Sequence, residues 1–179
     1  MRSDYRRVTL VAALLVLCFG MPAAIAFYVR DTSVFNPLRV GEKVPAFRVT
    51  STDGRLFCLD SLNRKKILLA FFTASCGHCR QEIENLQALY DTYSGRLDFL
   101  GISLEGSQAT KAMANEMKIS FPIGIEDRGE LSRSFKVTTV PAIFCIDTSG
   151  VLRFRYSGEH SLSIDRQIVE DLISFKQAY

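Results

Sequence analysis

The hydrophobic pattern divides the chain into an apolar leader followed by short buried runs that alternate with amphipathic stretches. Residues 8–29 are uncharged and mostly apolar. At about 1.5 Å rise per residue such a stretch spans a hydrocarbon core of about 30 Å, which predicts a transmembrane helix. Residues 31–40 show no periodicity and read as a tether, so the globular domain is expected over 41–179. Phe47-Arg48-Val49-Thr50 and Leu56-Phe57-Cys58-Leu59 alternate on either side of Asp53-Gly54, a hairpin signal. Residues 67–72 are bulky and apolar without alternation, the pattern of a buried strand. The next segment places Ile83, Leu86, Leu89 or Tyr90, and Tyr93 at helical spacing, with Gly95 expected to end the helix.

A strand over 97–103 and a helix over 107–117 continue the series. Strand, helix, strand in that order predicts a parallel crossover. Residues 121–125 read as a short extended piece and 128–135 as one or two helical turns. A strand preceded by a proline is predicted over 137–147. The turn Thr148-Ser149-Gly150 leads into a hairpin partner over 151–156. Residues 163–179 predict a closing amphipathic helix with Ile164, Ile168, Leu172 and Phe175 on one face. No internal repeat or low-complexity segment interrupts this order.

Charge changes the picture in one respect. The 179-residue chain has 22 basic and 19 acidic residues, a net charge of +3. Residues 1–30 hold four of the basic residues and one of the acidic ones, leaving 18 of each in the remainder. A neutral domain offers no electrostatic case for nucleic acid. Arg6 and Arg7 before the apolar run favour an amino terminus in the cytoplasm, with the domain on the far side of the bilayer. A cleaved signal peptide is the other reading, because Ala24-Ile25-Ala26 has the small-x-small pattern of a cleavage site. Both readings export the domain to a compartment where disulfides persist, the periplasm or its equivalent.

The candidate chemistry lies at the junction of the 67–72 strand with the following helix, where Cys76-Gly77-His78-Cys79 falls. Two cysteines separated by two residues at a strand-to-helix junction form a redox motif. Disulfide exchange requires a thiolate, and the start of a helix stabilises an anion through its unpaired N–H groups and dipole. Cys76 stands there and is the expected nucleophile. Cys79, one turn later, is the expected resolving thiol. His78, when protonated, adds a positive charge, so Gly77 and His78 are expected to tune the couple. Glu82 lies three residues beyond Cys79 on the same helical face, where burial would suit it to act as a base. Val140-Pro141 opens a later strand and is a place for a cis peptide, which would present the Val140 backbone to an extended substrate.

From about residue 41 to 175 the chain resembles membrane-anchored thioredoxin-like proteins of the TlpA/ResA type. The matching features are Gly41-Glu42-Lys43-Val44-Pro45-Ala46-Phe47, the Asp53-Gly54 hairpin, Cys76-Gly77-His78-Cys79 with Glu82, and Val140-Pro141 running into Phe144-Cys145-Ile146-Asp147. Gly150 and Gly158 fall at the family's turn glycines. The resemblance implies an α/β thioredoxin-like fold, with a central mixed sheet flanked by helices and an N-terminal hairpin. It implies cis-Pro141, Cys76 as nucleophile and Glu82 as a buried acid. It also implies thiol–disulfide exchange with protein clients, apocytochrome c among them, fed by a membrane thiol–disulfide electron donor and needing no cofactor. Three positions depart from the family pattern. Ser75 stands where Trp is usual, His78 replaces a loop proline, and Glu84 replaces a helix-kinking proline. A Cys-Gly-His-Cys loop is the disulfide-isomerase form and implies a more oxidising couple.

Other readings of these residues remain. A lone Cys-x-x-Cys could be half of a zinc site or a structural disulfide, but no second Cys-x-x-Cys or His-x-His partner accompanies it. Cys76, Cys79 and the distant His160 would suit copper, although a solvated His160 near the last helix and no bound metal is the simpler expectation. Thr73, three residues before Cys76, fits a peroxiredoxin-like thiol peroxidase, but Leu69 stands where that family has proline. Cys58 and Cys145 sit at apolar strand positions and read as core thiols or a structural disulfide.

Overall fold

The computed structural model describes residues 37–59 and 65–175. The expected transmembrane helix lies outside the described residues. Among those described, no helix is long and apolar enough to cross a membrane.

The 67–72 run forms the middle of the sheet. Its strand, β3 (Lys66–Phe72), follows the short pair β1 (Arg48–Thr50) and β2 (Leu56–Cys58), which are antiparallel across the Asp53-Gly54 turn. Next come α1 (Gly77–Tyr93), β4 (Leu97–Ser103), α2 (Ser107–Glu116), β5 (Ile123–Ile125) and α3 (Glu130–Ser134). The chain then forms β6 (Ala142–Ile146), β7 (Leu152–Ser157) and α4 (Leu162–Ser174). Five strands make one mixed sheet in the order β5-β4-β3-β6-β7, with β3, β4 and β5 parallel and β6 antiparallel to β3 and β7. This is the thioredoxin-like α/β arrangement.

The lack of alternation in β3 has a simple cause: both of its faces are covered. Leu68, Ala70 and Phe72 point to one core layer with Ile83, Leu86 and Leu89 of α1 and Val169 and Leu172 of α4. Ile67, Leu69 and Phe71 point to the other, with Phe47, Val49, Phe135 and Phe144. Phe135 meets Phe47, Phe71 and Phe144 at centroid distances of 5.2–6.0 Å, mostly edge to face, the geometry that aromatic quadrupoles favour. Leu38, within the segment read as a tether, is buried in this second layer.

Two expectations shift. Gly95 is not among the glycines with positive φ, and α1 ends instead on a Ser94 N–H donated to the Tyr90 carbonyl. The buried residues of α4 are Asp165, Val169 and Leu172; of the expected stripe, Leu172 is buried and Ile168 packs half-buried against the core. Ile164 is exposed, and Phe175 falls just beyond the helix. Lys66 Nζ donates to the Ile173 and Phe175 carbonyls at 2.9 and 2.6 Å, a cation placed on the negative end of α4. Tyr93 Oη donates to Glu170 at 2.6 Å and joins α1 to the same helix.

Candidate active site

The site begins where β3 runs out. After Phe72, Thr73-Ala74-Ser75 carries the chain to Cys76, the N-cap of α1, in extended conformation (φ −83°, ψ 120°). An N-cap side chain accepts from the first turn, and here the Cys76 sulfur accepts from the Cys79 N–H at 3.3 Å. Cys76 is half-buried and Cys79 fully buried, and both are thiols. Burial pushes the Cys79 thiol up, to about 12, helped by its hydrogen bond with Cys76 and opposed by Thr73. Ser75 donates its N–H to Glu105 Oε2 at 2.9 Å, so the loop after β4 holds the residue before Cys76.

The β3–β6 register pairs Phe71 with Ala142, and one further step along it brings Pro141 beside Phe72 at this end of the sheet. The Val140–Pro141 peptide is cis. Pro141 is buried, and its carbonyl accepts from the Gly158 N–H at 2.9 Å. His78 is largely exposed, and its Nδ1 lies 3.1 Å from Glu159 Oε2. An open groove of about 410 Å³ lies beside the loop, lined by Gly77, Arg80, Gln81, Glu84 and Met117.

Behind α1 is a polar cluster that the linear sequence does not reveal. Glu82 is fully buried. Its Oε1 accepts from Tyr156 Oη at 3.0 Å and its Oε2 from the His160 N–H at 3.0 Å. Burial raises the Glu82 carboxyl to about 7, with the nearby Asp165 charge adding to the rise and the two hydrogen bonds opposing it. Asp165 is itself buried, and burial raises it too. It accepts from Asn85 Nδ2 at 3.0 Å and from Tyr156 Oη at 3.1 Å. The Tyr156 and His160 rings stack at 4.3 Å.

His160 is therefore not the solvated residue expected, because its Nδ1 is buried against this cluster. Cys145 is a fully buried thiol pushed up by burial and by Asp165 and Glu82, and no disulfide joins it to Cys58. Tyr156, Asp165 and Asn85 escaped the sequence reading. One signal for Asp165 was present: with Val169 and Leu172 it makes an i, i+4, i+7 stripe, a carboxylate in an apolar row.

The profile of the AhpC/TSA family matches residues 40–155. The chain belongs to this family. The thiol–disulfide oxidoreductase ResA of Bacillus thuringiensis subsp. konkukian (strain 97-27) is 24% identical over 155 residues, covering 84% of this chain and 87% of ResA. A thioredoxin-family thiol:disulfide interchange protein from Chlorobium tepidum TLS superposes with a TM-score of 0.68 at 26% identity, covering 78% of this chain and 100% of that one. StoA from Bacillus subtilis superposes with a TM-score of 0.63 at 21% identity, covering 70% of this chain and 96% of StoA. Together with the thioredoxin-like fold, the match to ResA makes the chain a thiol–disulfide oxidoreductase.

Proposed function

We propose that the chain exchanges disulfides with protein clients outside the cytoplasm through the Cys76–Cys79 dithiol. The Cys79 N–H donated to the Cys76 sulfur at the head of α1 carries this reading, because it supports negative charge on the more exposed of the two sulfurs. Cys76 attacks a client disulfide, forming a mixed disulfide and releasing one client thiolate. Cys79 gives up its proton and attacks the Cys76 sulfur. The second client thiolate leaves, two protein thiols having become one disulfide. Glu82, one turn from Cys79 on the buried face, acts as the base for the second step. Val140 and Pro141 flank an extended client segment.

Residues 8–29 serve as a membrane anchor, or are removed by cleavage near residues 24–26, and either outcome delivers the domain over 41–179 to an extracytoplasmic compartment. Regeneration of the dithiol then falls to a membrane thiol–disulfide donor. Apocytochrome c is the client class that the resemblance suggests.

Cys79→Ser tests this. The variant should accumulate mixed disulfides between Cys76 and client proteins. Absence of adducts, together with stoichiometric copper or zinc held through both thiols of the parent, would replace exchange with metal delivery. The equilibrium potential of the couple sets the direction: about −270 mV marks a reductase and about −180 mV an oxidase or isomerase.

A further inference from the structure

We propose that Tyr156, Asp165 and His160 form a proton relay connecting Glu82 to solvent while Cys79 attacks. The inference rests on the dithiol reading above and assigns roles to three residues beyond the dithiol, its base and the client-binding pair.

Counting hydrogens leads to it. Tyr156 has one hydroxyl hydrogen, yet its oxygen lies 3.0 Å from Glu82 Oε1 and 3.1 Å from Asp165 Oδ1. If both carboxyls are ionised, one of these contacts sets two acceptors face to face in a buried site, which is costly. If Glu82 holds a proton, it donates to the Tyr156 oxygen while Tyr156 donates to Asp165, and each contact has its hydrogen. One proton shared along Glu82–Tyr156–Asp165 satisfies the chain, and moving it needs only hydrogens shifting between neighbouring oxygens.

The outer end is His160. Its Nδ1 is buried without a hydrogen-bond partner among the described residues and lies 3.6 Å from Asp165 Oδ1, slightly beyond bonding distance. The side chain is 29% exposed, so it also meets solvent. Stacking on Tyr156 holds the ring in place.

The proton balance is then complete. Glu82 first passes its proton to Tyr156 as Tyr156 passes its own to Asp165, and His160 takes one from Asp165 and releases one to water. Glu82, now ionised, takes the proton of Cys79 as the Cys79 sulfur bonds to Cys76 and the client thiolate departs, and that thiolate takes up a proton from solvent. Other titratable or polar groups facing this cluster are Asn85 from α1, Cys145 from β6 and Glu159 from the loop before α4, and Cys79 stands one turn before Glu82 on α1. His78 is held outside by Glu159.

The full chain with 5,5′-dithiobis(2-nitrobenzoate) tests the relay, since the second thionitrobenzoate released reports attack by Cys79. Tyr156→Phe keeps the ring and removes the hydroxyl. It should raise the pH at which release accelerates, through loss of a hydrogen bond to ionised Glu82, and slow release by roughly tenfold. Asp165→Asn should lower that pH by removing a like charge. His160→Ala should slow release while leaving its backbone N–H on Glu82, and added imidazole should restore the rate. A Tyr156→Phe profile superimposing on the parent's, or a His160→Ala variant as fast as the parent, overturns the relay. So does a slow His160→Ala variant that imidazole cannot rescue. If the parent releases no more thionitrobenzoate than Cys79→Ser, the dithiol reading falls and the relay with it.

Discussion

Glu105 reaches across from the loop after β4 to take the N–H of Ser75, the residue next to Cys76. The contact is partly exposed, so losing it should cost less than about 1 kcal/mol, water replacing the carboxylate. Its effect should fall on geometry. Glu105→Ala should slow disulfide exchange with a protein client while leaving the melting temperature nearly unchanged. Glu105→Gln, which keeps an acceptor, should retain the parent's rate. Equal rates in all three proteins would remove Glu105 from the positioning of Cys76.

Glu82 gives a prediction in both stability and rate. Its carboxyl is protonated in the folded protein up to about pH 7, against an ordinary value of 4.5 in the unfolded chain. Between those values the folded state holds the extra proton, so this contribution to stability is full below pH 4.5 and is lost as pH rises toward 7. At 1.36 kcal/mol per pH unit the loss is on the order of 3 kcal/mol. Glu82→Gln imitates the protonated form and can still accept from His160 N–H. It should therefore be about 1–3 kcal/mol more stable than the parent at pH 8 and nearly equal at pH 4, read by urea unfolding at the two pH values. It should also slow the Cys79 step and flatten the pH profile of that step. A parent whose stability is flat from pH 4.5 to 7 would contradict the first statement.

Gly124 ties the N-terminal hairpin to the sheet edge. A Cβ built there would clash with Val49 Cγ1, and Ser51 forms a β-bridge to the same residue. Gly124→Ala should destabilise the protein by about 1–3 kcal/mol through overpacking. Truncating the opposing side chain should relieve it, so Gly124→Ala combined with Val49→Ala should cost less than the two single changes added together. Additive costs in chemical denaturation would show that the contact is not shared.

What the sequence determined by itself is the local order. The 67–72 run, the helical spacing after Cys76 and the Asp53-Gly54 hairpin are each written within a dozen residues, and each forms close to its expected bounds. The placement of Cys76, Cys79 and Glu82 along one helix was legible for the same reason, since helical geometry fixes their spacing whatever packs around them.

Tertiary structure decided what surrounds Glu82. Tyr156 and His160 reach it from 74 and 78 residues further along the chain. No local periodicity encodes that meeting. The phase of α4 was settled in the same way. Asp165 turns inward, where the sequence stripe placed Ile164, because the inner face of the helix meets Asn85 and Tyr156 as well as apolar side chains. A buried carboxyl with hydrogen-bond partners is tolerated where an unpartnered one is not, and those partners exist only once β7 and α4 have closed over α1.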